Sequence, residues 1–282
     1  MERFISKENF SISHNTDYKS EASVSHSHDE IEIYIHISGG KYFFVDDVIY
    51  DIKKKDIILF DSSQIHKVIK NPNEIYERYI IVYKKEFLMS LGSDFVEINS
   101  LISRISKNKE NILRLNEKNF DKLIKLLEEY DNNQIIANNL YKLSKFLEIM
   151  IVILSEYNRK SGKNEKNKIM KDRYVNNQTV NEIIEKINLY YKDNDFTVAK
   201  LSSILHISKC YMCDVFKKNT GITILGYINQ KKIIEAKAML TEGKSIVNCT
   251  DCLGFNSYND FIRVFKKTTG DTPKKYLKKN IR

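Results

Sequence analysis

The feature that most constrains this 282-residue chain is a pattern of two helices near its C-terminal end. Residues 245–277 predict a short helix, a turn at Gly254 and a second, amphipathic helix over 257–269. The outer face of the second helix is polar and basic. This pattern is typical of a helix-turn-helix, although a solvated helix pair in any α domain would have the same shape. The apolar stripe of the second helix consists of Phe261, Val264 and Phe265.

The same pattern occurs a second time, in residues 197–221. This copy has a turn at 206–208 and ends in Phe-Lys-Lys-Asn-Thr-Gly, where residues 265–270 have Phe-Lys-Lys-Thr-Thr-Gly. Residues 222–242 lie between the copies and carry apolar residues at helical spacing. A helix of that length would rise roughly 31 Å, close to the ~34 Å between successive major-groove faces of DNA. The spacing therefore predicts two reading heads held one DNA turn apart.

The charge of the chain is concentrated beside these two copies. Residues 1–170 carry 26 Lys and Arg and 26 Asp and Glu, whereas residues 171–282 carry 20 and 11, so the last part holds the whole net charge of +9. A general bias toward lysine would raise the count in both parts and does not explain the asymmetry. A neutral front part and a basic back part indicate a sensing or oligomerising region joined to a region that binds a polyanion.

Residues 179–276 resemble the DNA-binding domain of AraC/XylS-type transcriptional regulators. The resemblance implies two helix-turn-helix units and double-stranded promoter DNA as a partner. Cys249 and Thr250 replace the usual Ile-Ala, Lys232 replaces a common Arg, and Asp214 occupies a position that is often basic. These departures concern the DNA sequence that is recognised, not the class. The resemblance depends on Ser208, Lys209, Cys210, Tyr211, Met212, Phe216, Lys217, Lys218, Gly221, Gly254, Phe255, Phe261, Arg263, Phe265, Lys266, Lys267, Gly270, Thr272, Pro273 and Tyr276.

The residues that match the reading positions of that family are our candidates for contacts to base edges. Asn pairs well with adenine and Arg with guanine, so we expect the second unit to read more sequence than the first, which mainly anchors. Lysines beside both units are candidates for phosphate contacts, although each also fits a solvated surface position. The base candidates are Lys209, Cys210, Cys213, Asp214, Tyr258, Asn259 and Arg263, and the phosphate candidates are Lys217, Lys218, Lys266, Lys267, Lys274 and Lys275.

Two Cys-x-x-Cys pairs have the spacing of a four-thiolate zinc site. They begin at Cys210 and at Cys249, each inside a predicted helix of a different unit. Because the long helix should hold the units apart, the four sulfurs should not converge. We therefore expect free thiols, as is usual in the reducing cytosol.

The front part of the chain predicts many short strands. Residues 30–37 alternate strictly between isoleucine and polar residues, Gly39-Gly40 makes a turn, and further strands follow up to residue 83. This pattern favours a β-sandwich or barrel. The fold class is therefore α+β multidomain: a β-barrel, a helical segment and an all-α double helix-turn-helix. The motif His26-x-His28-x-x-x-Glu32, with His66 further along the chain, resembles the cupin motifs and implies that the barrel is a cupin-like jelly roll.

Four polar residues of this region resemble the cupin motifs: His26, His28, Glu32 and His66. The first three share strand parity, so their side chains can point into one cavity, and three imidazoles with a carboxylate suit Zn, Mn, Fe or Ni. Lys55 and Ser62 replace the usual Gly and Pro of the second motif. A metal-free effector pocket and a purely structural role are the other interpretations. The site also disappears if the isoleucine face points inward, because Glu32 then points out.

Long amphipathic stripes follow the strands, and a polar run follows the stripes. We divide the chain into a cupin-like effector-sensing domain (1–84), a helical dimerisation segment (85–156), a linker (157–173) and the DNA-binding domain (174–282). Dimerisation through the helical segment is implied by the resemblance; plain core packing would explain the stripes equally well.

The sequence as a whole predicts a cytoplasmic, dimeric transcriptional regulator that binds promoter DNA and is neither an enzyme nor dependent on a cofactor. A small-molecule effector, by analogy a carbohydrate, would alter DNA affinity or contact with RNA polymerase. The start of the chain lacks the apolar region of a secretory signal, and its longest apolar run is too short to span a membrane. A metal-dependent cupin enzyme with a DNA-binding appendage is the alternative, and a constitutive architectural DNA binder is a third reading.

Overall fold

The computed structural model describes residues 9–17, 29–71, 73–92, 94–131, 138–161 and 174–280. In these ranges, eight antiparallel strands form a β domain in the front part of the chain. The second to the seventh of them along the chain agree with the short strands that the sequence predicts. The strands are β1 (Phe10–Asp17), β2 (Ile31–Ser38), β3 (Tyr42–Val45), β4 (Val48–Asp51), β5 (Asp56–Phe60), β6 (His66–Ile69), β7 (Tyr76–Tyr83) and β8 (Ile112–Arg114).

The strands are arranged in two sheets that pack face to face. The larger sheet has the order β1-β7-β2-β5-β8, and the smaller has the order β4-β3-β6. Tyr34 and Phe60 of the larger sheet and Phe43 of the smaller meet in one apolar cluster between the sheets. Strand β8 was not predicted, and it adds residues 112–114 of the predicted helical segment to the edge of the larger sheet.

Four helices cover the outer face of the larger sheet: α1 (Lys85–Leu91), α2 (Asp94–Lys107), α3 (Glu117–Asp131) and α4 (Asn138–Ser161). Helix α4 continues to Ser161, and Tyr157 is buried, so the linker predicted from residue 157 begins too early. The rest of that predicted linker, residues 162–173, lies outside the described residues. No helix in the described ranges is both long and apolar enough to cross a membrane.

The sequence left the orientation of β2 open. The structure settles it, because one face of the larger sheet packs against helices α1–α4 and the other packs against the smaller sheet. Ile31, Ile33 and Ile35 pack against the helices α1–α4. Because side chains alternate along a strand, Glu32 and Tyr34 point between the sheets, where both are buried. The isoleucine face is therefore the outer face of the β domain, and Glu32 points inward.

In the described residues 174–280, seven further helices form the C-terminal helical domain. They are α5 (Gln178–Tyr190), α6 (Val198–Leu205), α7 (Lys209–Thr220), α8 (Ile224–Thr241), α9 (Ile246–Cys252), α10 (Tyr258–Thr269) and α11 (Pro273–Asn280). We call α6–α7 the first unit and α9–α10 the second unit. Helix α8 has 18 residues, so it rises about 27 Å, about 4 Å less than the sequence predicted.

Helix α8 belongs to two apolar cores. Ile224 and Tyr227, in its first half, pack with the first unit, and Ile233 and Leu240, in its second half, pack with the second unit. The first core also contains side chains of the smaller sheet, including Phe44, whose ring centroid lies 5.7 Å from that of Tyr227. The order of layers is therefore helices α1–α4, larger sheet, smaller sheet and C-terminal helical domain.

Candidate nucleic-acid interface

The first unit is built from local capping interactions. Ser208 begins α7, and its hydroxyl accepts a hydrogen bond from the backbone N–H of Tyr211 at 3.3 Å. Between α6 and α7, His206 has a left-handed backbone with φ of 54°, and Gly221 ends α7 in the same region with φ of 72°. The predicted turn at 206–208 and the predicted end of the helix at Gly221 are both confirmed.

The second unit repeats this construction. The Ser257 hydroxyl accepts from the backbone N–H of Asp260 at 3.1 Å, and Gly270 ends α10 with φ of 84°. Gly254 lies in the turn with φ of 62°, and a Cβ there would lie 2.2 Å from the carbonyl oxygen of Lys192. Only glycine fits this position, because both its backbone angle and the close approach exclude a side chain. The predicted turn and helix of residues 254–269 are confirmed.

One buried lysine attaches the second unit to helix α8. The Lys232 ammonium donates to the carbonyl oxygen of Gly254 at 2.7 Å and lies 5.0 Å from the centre of the Phe255 ring. Burial lowers the pKa of Lys232. The sequence marked this residue only as a replacement for arginine, whereas the structure shows that it fixes the glycine turn of the second unit.

The predicted base-contact residues lie at the N-terminal ends of α7 and α10. Cys213 is half-buried, and the six others are exposed. In α10, the guanidinium of Arg263 pairs with Asp260 one turn earlier, so reading a base would require the exchange of this carboxylate for a base edge. In α7, the Cys210 sulfur lies 3.9 Å from a carboxylate oxygen of Asp214. The structure thus places Lys209, Cys210, Asp214, Tyr258, Asn259 and Arg263 where a ligand can reach them.

All six predicted phosphate-contact lysines are exposed. Lys217 and Lys218 lie in the last turn of α7, Lys266 and Lys267 lie in the last turn of α10, and Lys274 and Lys275 lie in α11. Lys275 already forms an ion pair, because its ammonium lies 2.9 Å from a carboxylate oxygen of Asp271. Hydrogen bonds from Lys279 and Lys275 lower the pKa of Asp271.

Tyr211 is an exposed residue of this surface that the sequence reasoning did not select. It lies on the first turn of α7 beside Cys210, and it is 54% exposed. The sequence could have indicated Tyr211, because it lies between Cys210 and Cys213, two predicted contact residues of the same helix. By contrast, Phe216, Phe255, Phe261 and Phe265 are buried.

The cysteines of the two Cys-x-x-Cys pairs differ in exposure. Cys210 and Cys252 are exposed and Cys213 is half-buried, whereas Cys249 belongs to the core of the second unit. Within the described ranges, no group of three or more His, Cys, Asp or Glu side chains has the arrangement of a metal site.

Two of the four cupin-like residues meet between the sheets. The His66 Nε2 atom lies 2.9 Å from a carboxylate oxygen of Glu32, and the two side chains are 2% and 5% exposed. The His66 Nδ1 atom lies 3.0 Å from the carbonyl oxygen of Gln64, which fixes the ring orientation. Burial lowers the pKa of the neighbouring strand residue His36 to about 4, so that imidazole is neutral at pH 7. His26 and His28 lie outside the described residues.

Comparison with known proteins places the similarity in the C-terminal helical domain. Residues 201–279 match the family described as "Helix-turn-helix domain". The bifunctional transcriptional activator/DNA repair enzyme AdaA of Bacillus subtilis is 37% identical over 91 residues, which are 30% of this chain and 43% of AdaA. The transcriptional regulatory protein HptR of Staphylococcus aureus is 31% identical over 99 residues, which are 35% of this chain and 39% of HptR.

A solved structure covers the same part of the chain. The C-terminal domain of the two-component response regulator yesN from Fusobacterium nucleatum is 38% identical, with a TM-score of 0.32, over 33% of this chain and 92% of that domain. The chain spans less than half the length of the two curated relatives. Residues 201–279 therefore belong to a helix-turn-helix domain of the AraC type, a DNA-binding domain of proteins that regulate transcription.

Proposed function

We propose that this chain is a sequence-specific, DNA-binding transcriptional regulator that acts as a dimer and responds to a small-molecule effector. The observation that carries the proposal is the pair of capped helices α7 and α10, which present polar N-terminal turns from opposite halves of one helix, α8. Such turns are the parts of recognition helices that contact base edges.

The two recognition helices have different chemistry in this proposal. Asn259 and Arg263 of α10 offer bidentate partners for adenine and guanine, whereas Cys210 and Asp214 of α7 offer poor ones. The second unit would therefore read the operator, and the first would hold the protein on the duplex through its lysines.

Dimerisation and effector response would lie in the front part of the chain. Helix α4 exposes two large aliphatic side chains, Leu140 at 70% and Ile151 at 66%, which a second copy could cover. The effector, by analogy a carbohydrate, would change DNA affinity or contact with RNA polymerase in the cytoplasm. His26 and His28 together with the Glu32–His66 pair stay the predicted effector or divalent-metal position, and metal analysis of the purified full chain would test the metal.

Selection of bound duplexes from a random library, with the purified full-length protein, tests the proposal directly. We expect an enriched motif and binding that weakens steeply with salt, since each phosphate contact contributes a slope of about −0.9 in log K against log salt. The double variant K266Q/K267Q should reduce this slope by about 1.8 if both lysines contact phosphates.

The matched control is K122Q/K125Q, which removes two exposed lysines from α3, on the other side of the β domain. It should leave the slope unchanged. Recovery of random sequences, or equal slopes for the two double variants, would reject the proposed function.

A further inference from the structure

Strand β6 forms one edge of the smaller sheet and contacts helix α7 of the first unit. Because side chains alternate along a strand, Val68 points between the two sheets, whereas Lys67 and Ile69 point toward the C-terminal helical domain. Ile69 packs against the core of the first unit. Lys67 is half-buried at the boundary between the β domain and α7.

The side chain of Lys67 crosses the end of α7. A Cβ atom at Gly221, the residue that ends this helix, would lie 2.7 Å from the Cε atom of Lys67 and 2.8 Å from its Cδ atom. The glycine therefore leaves room for the methylene groups of the lysine. A long side chain of this kind buries its stem along the protein and keeps its charged end in water. The β domain thus adds a cation to the end of a helix that belongs to the first unit.

Lys217 brings a second ammonium group to the same place. It is exposed and lies one turn before Gly221. Burial lowers the pKa of Lys67, and the charges of Lys217 and Lys70 lower it further, so the ammonium groups are close enough to repel one another. Lys70 is compensated by Asp17, whose carboxylate oxygen lies 2.7 Å from its ammonium.

Lys67 and Lys217 do not have such compensation. Neither ammonium has an ion-pair or hydrogen-bond partner among the residues that the structure describes. Two neighbouring cations repel each other, and a half-buried charge without a partner costs free energy. Anions bound at this position would offset both costs. The packing of β6 on α7 therefore creates a surface position that favours a polyanion.

This position lies at the end of the surface that α7 would present to DNA. Cys210, Asp214 and Lys217 follow one another at i, i+4 and i+7, so they share one face of the helix. Lys217 lies about 10 Å further along the helix axis than Cys210, and the major groove is about 12 Å wide. A helix whose first turn reaches base edges would therefore bring its last turn to the phosphates at the rim of the groove.

We propose that Lys67 of the β domain binds the DNA backbone together with Lys217, each ammonium neutralising one of two neighbouring phosphates. The DNA interface then includes a side chain from the front part of the chain in addition to the C-terminal helical domain. Because phosphate contacts carry no sequence information, this pair strengthens binding to any duplex and leaves the base preference unchanged. This role of Lys67 rests on the proposed function and adds a second domain to the same interface.

The salt dependence of DNA binding by the full-length protein tests the pair. K67M removes the ammonium and keeps an apolar stem, and it should reduce the slope of log K against log salt by about 0.9. The ratio of wild-type to K67M affinity should therefore shrink about 3.5-fold as the salt concentration rises from about 50 to about 200 mM. K217M should have the same effect, and both variants should select the same operator motif as the wild type.

Two control variants separate charge from packing. K67R keeps the charge and should keep the wild-type slope, as should K122M, which removes an exposed lysine from α3. A wild-type slope for K67M would overturn the proposal. An equal loss of slope in K67M and K67R would also overturn it, because the effect would then come from the packing against Gly221.

Acetylation of lysines in the wild-type protein provides a second test that requires no variant. Bound operator duplex should protect Lys67 and Lys217 from an acylating reagent and leave Lys122 reactive, as measured by mass spectrometry of the digested protein. Equal acetylation of Lys67 with and without duplex overturns the proposal. The variant K266Q/K267Q separates the two claims: if it lowers the salt slope and K67M does not, the proposed function stands and only the role of Lys67 is rejected.

Discussion

The two helix-turn-helix units share one construction but differ in what they pack against. The first unit shares its core with the β domain, since Phe44 and Ile49 of the smaller sheet lie in the same cluster as Met212 and Phe216 of α7. In addition, the Lys67 side chain crosses so close to Gly221 that a Cβ there would lie 2.7 Å from it.

The second unit has an apolar core of its own, formed with α8 and α11. Helix α8, on which the second unit packs, forms a polar contact with the β domain: the ammonium of Lys237 lies 2.8 Å from a carboxylate oxygen of Asp29. The first unit thus packs as a part of the β domain, whereas the second unit has a separate core. Under the proposed function, the second unit could read DNA without disturbing the β domain.

The largest effect is expected from F44A. Phe44 is fully buried at the boundary between the smaller sheet and the first unit, and loss of a buried phenylalanine costs about 3–5 kcal/mol. Hydrogen exchange should accelerate in α7 and in the smaller sheet, while exchange in α10 stays unchanged.

F265A is the matched variant, because Phe265 is equally buried in the core of the second unit. It should accelerate exchange in α10 and leave the smaller sheet protected. If both variants accelerate exchange everywhere, the two units form one cooperative body and the comparison fails.

The helix-turn-helix units could be predicted because their determinants are local. Ser208 and Ser257 accept hydrogen bonds three residues ahead, and Gly221 and Gly270 take the left-handed conformation that ends a helix. Each signal lies within a few residues of the element that it bounds, so the positions of α7 and α10 follow from the sequence alone.

The orientation of β2 could not be predicted in the same way. Alternation states that Ile33 and Glu32 face opposite sides, but both sides of the larger sheet are covered, so burial does not distinguish them. Strand β8 has only three residues, too few for a period. Lys67 and Lys217 are far apart in the sequence and share no pattern, so only the structure brings them together.

An intermediate effect is expected for DNA recognition. R263A should weaken binding to the selected operator by about 1–3 kcal/mol and relax the preference at one base pair, because a bidentate contact to guanine is lost. D214A in the first unit should leave the preference unchanged and strengthen binding, since it removes a negative charge from α7. Titration of both variants on the operator and on single-site mutants measures this. Equal losses for the two variants, or no loss for R263A, would contradict the assignment of the second unit as the reader.

The smallest effect is expected from removal of the two serine caps. Because both variants should lose the same amount of stability, any difference in their DNA binding reports on recognition alone. S208A and S257A remove the same interaction from α7 and α10, so each should lower the free energy of unfolding by about 1 kcal/mol. Their effects on DNA should nevertheless differ: fraying of α10 displaces Tyr258 and Asn259, whereas fraying of α7 displaces residues that mainly anchor. S257A should thus reduce discrimination between operator and mutated operator more than S208A at equal loss of stability, measured by denaturant unfolding and competition binding. If discrimination falls equally, both units read sequence, and the difference in their packing against the β domain has no counterpart in recognition.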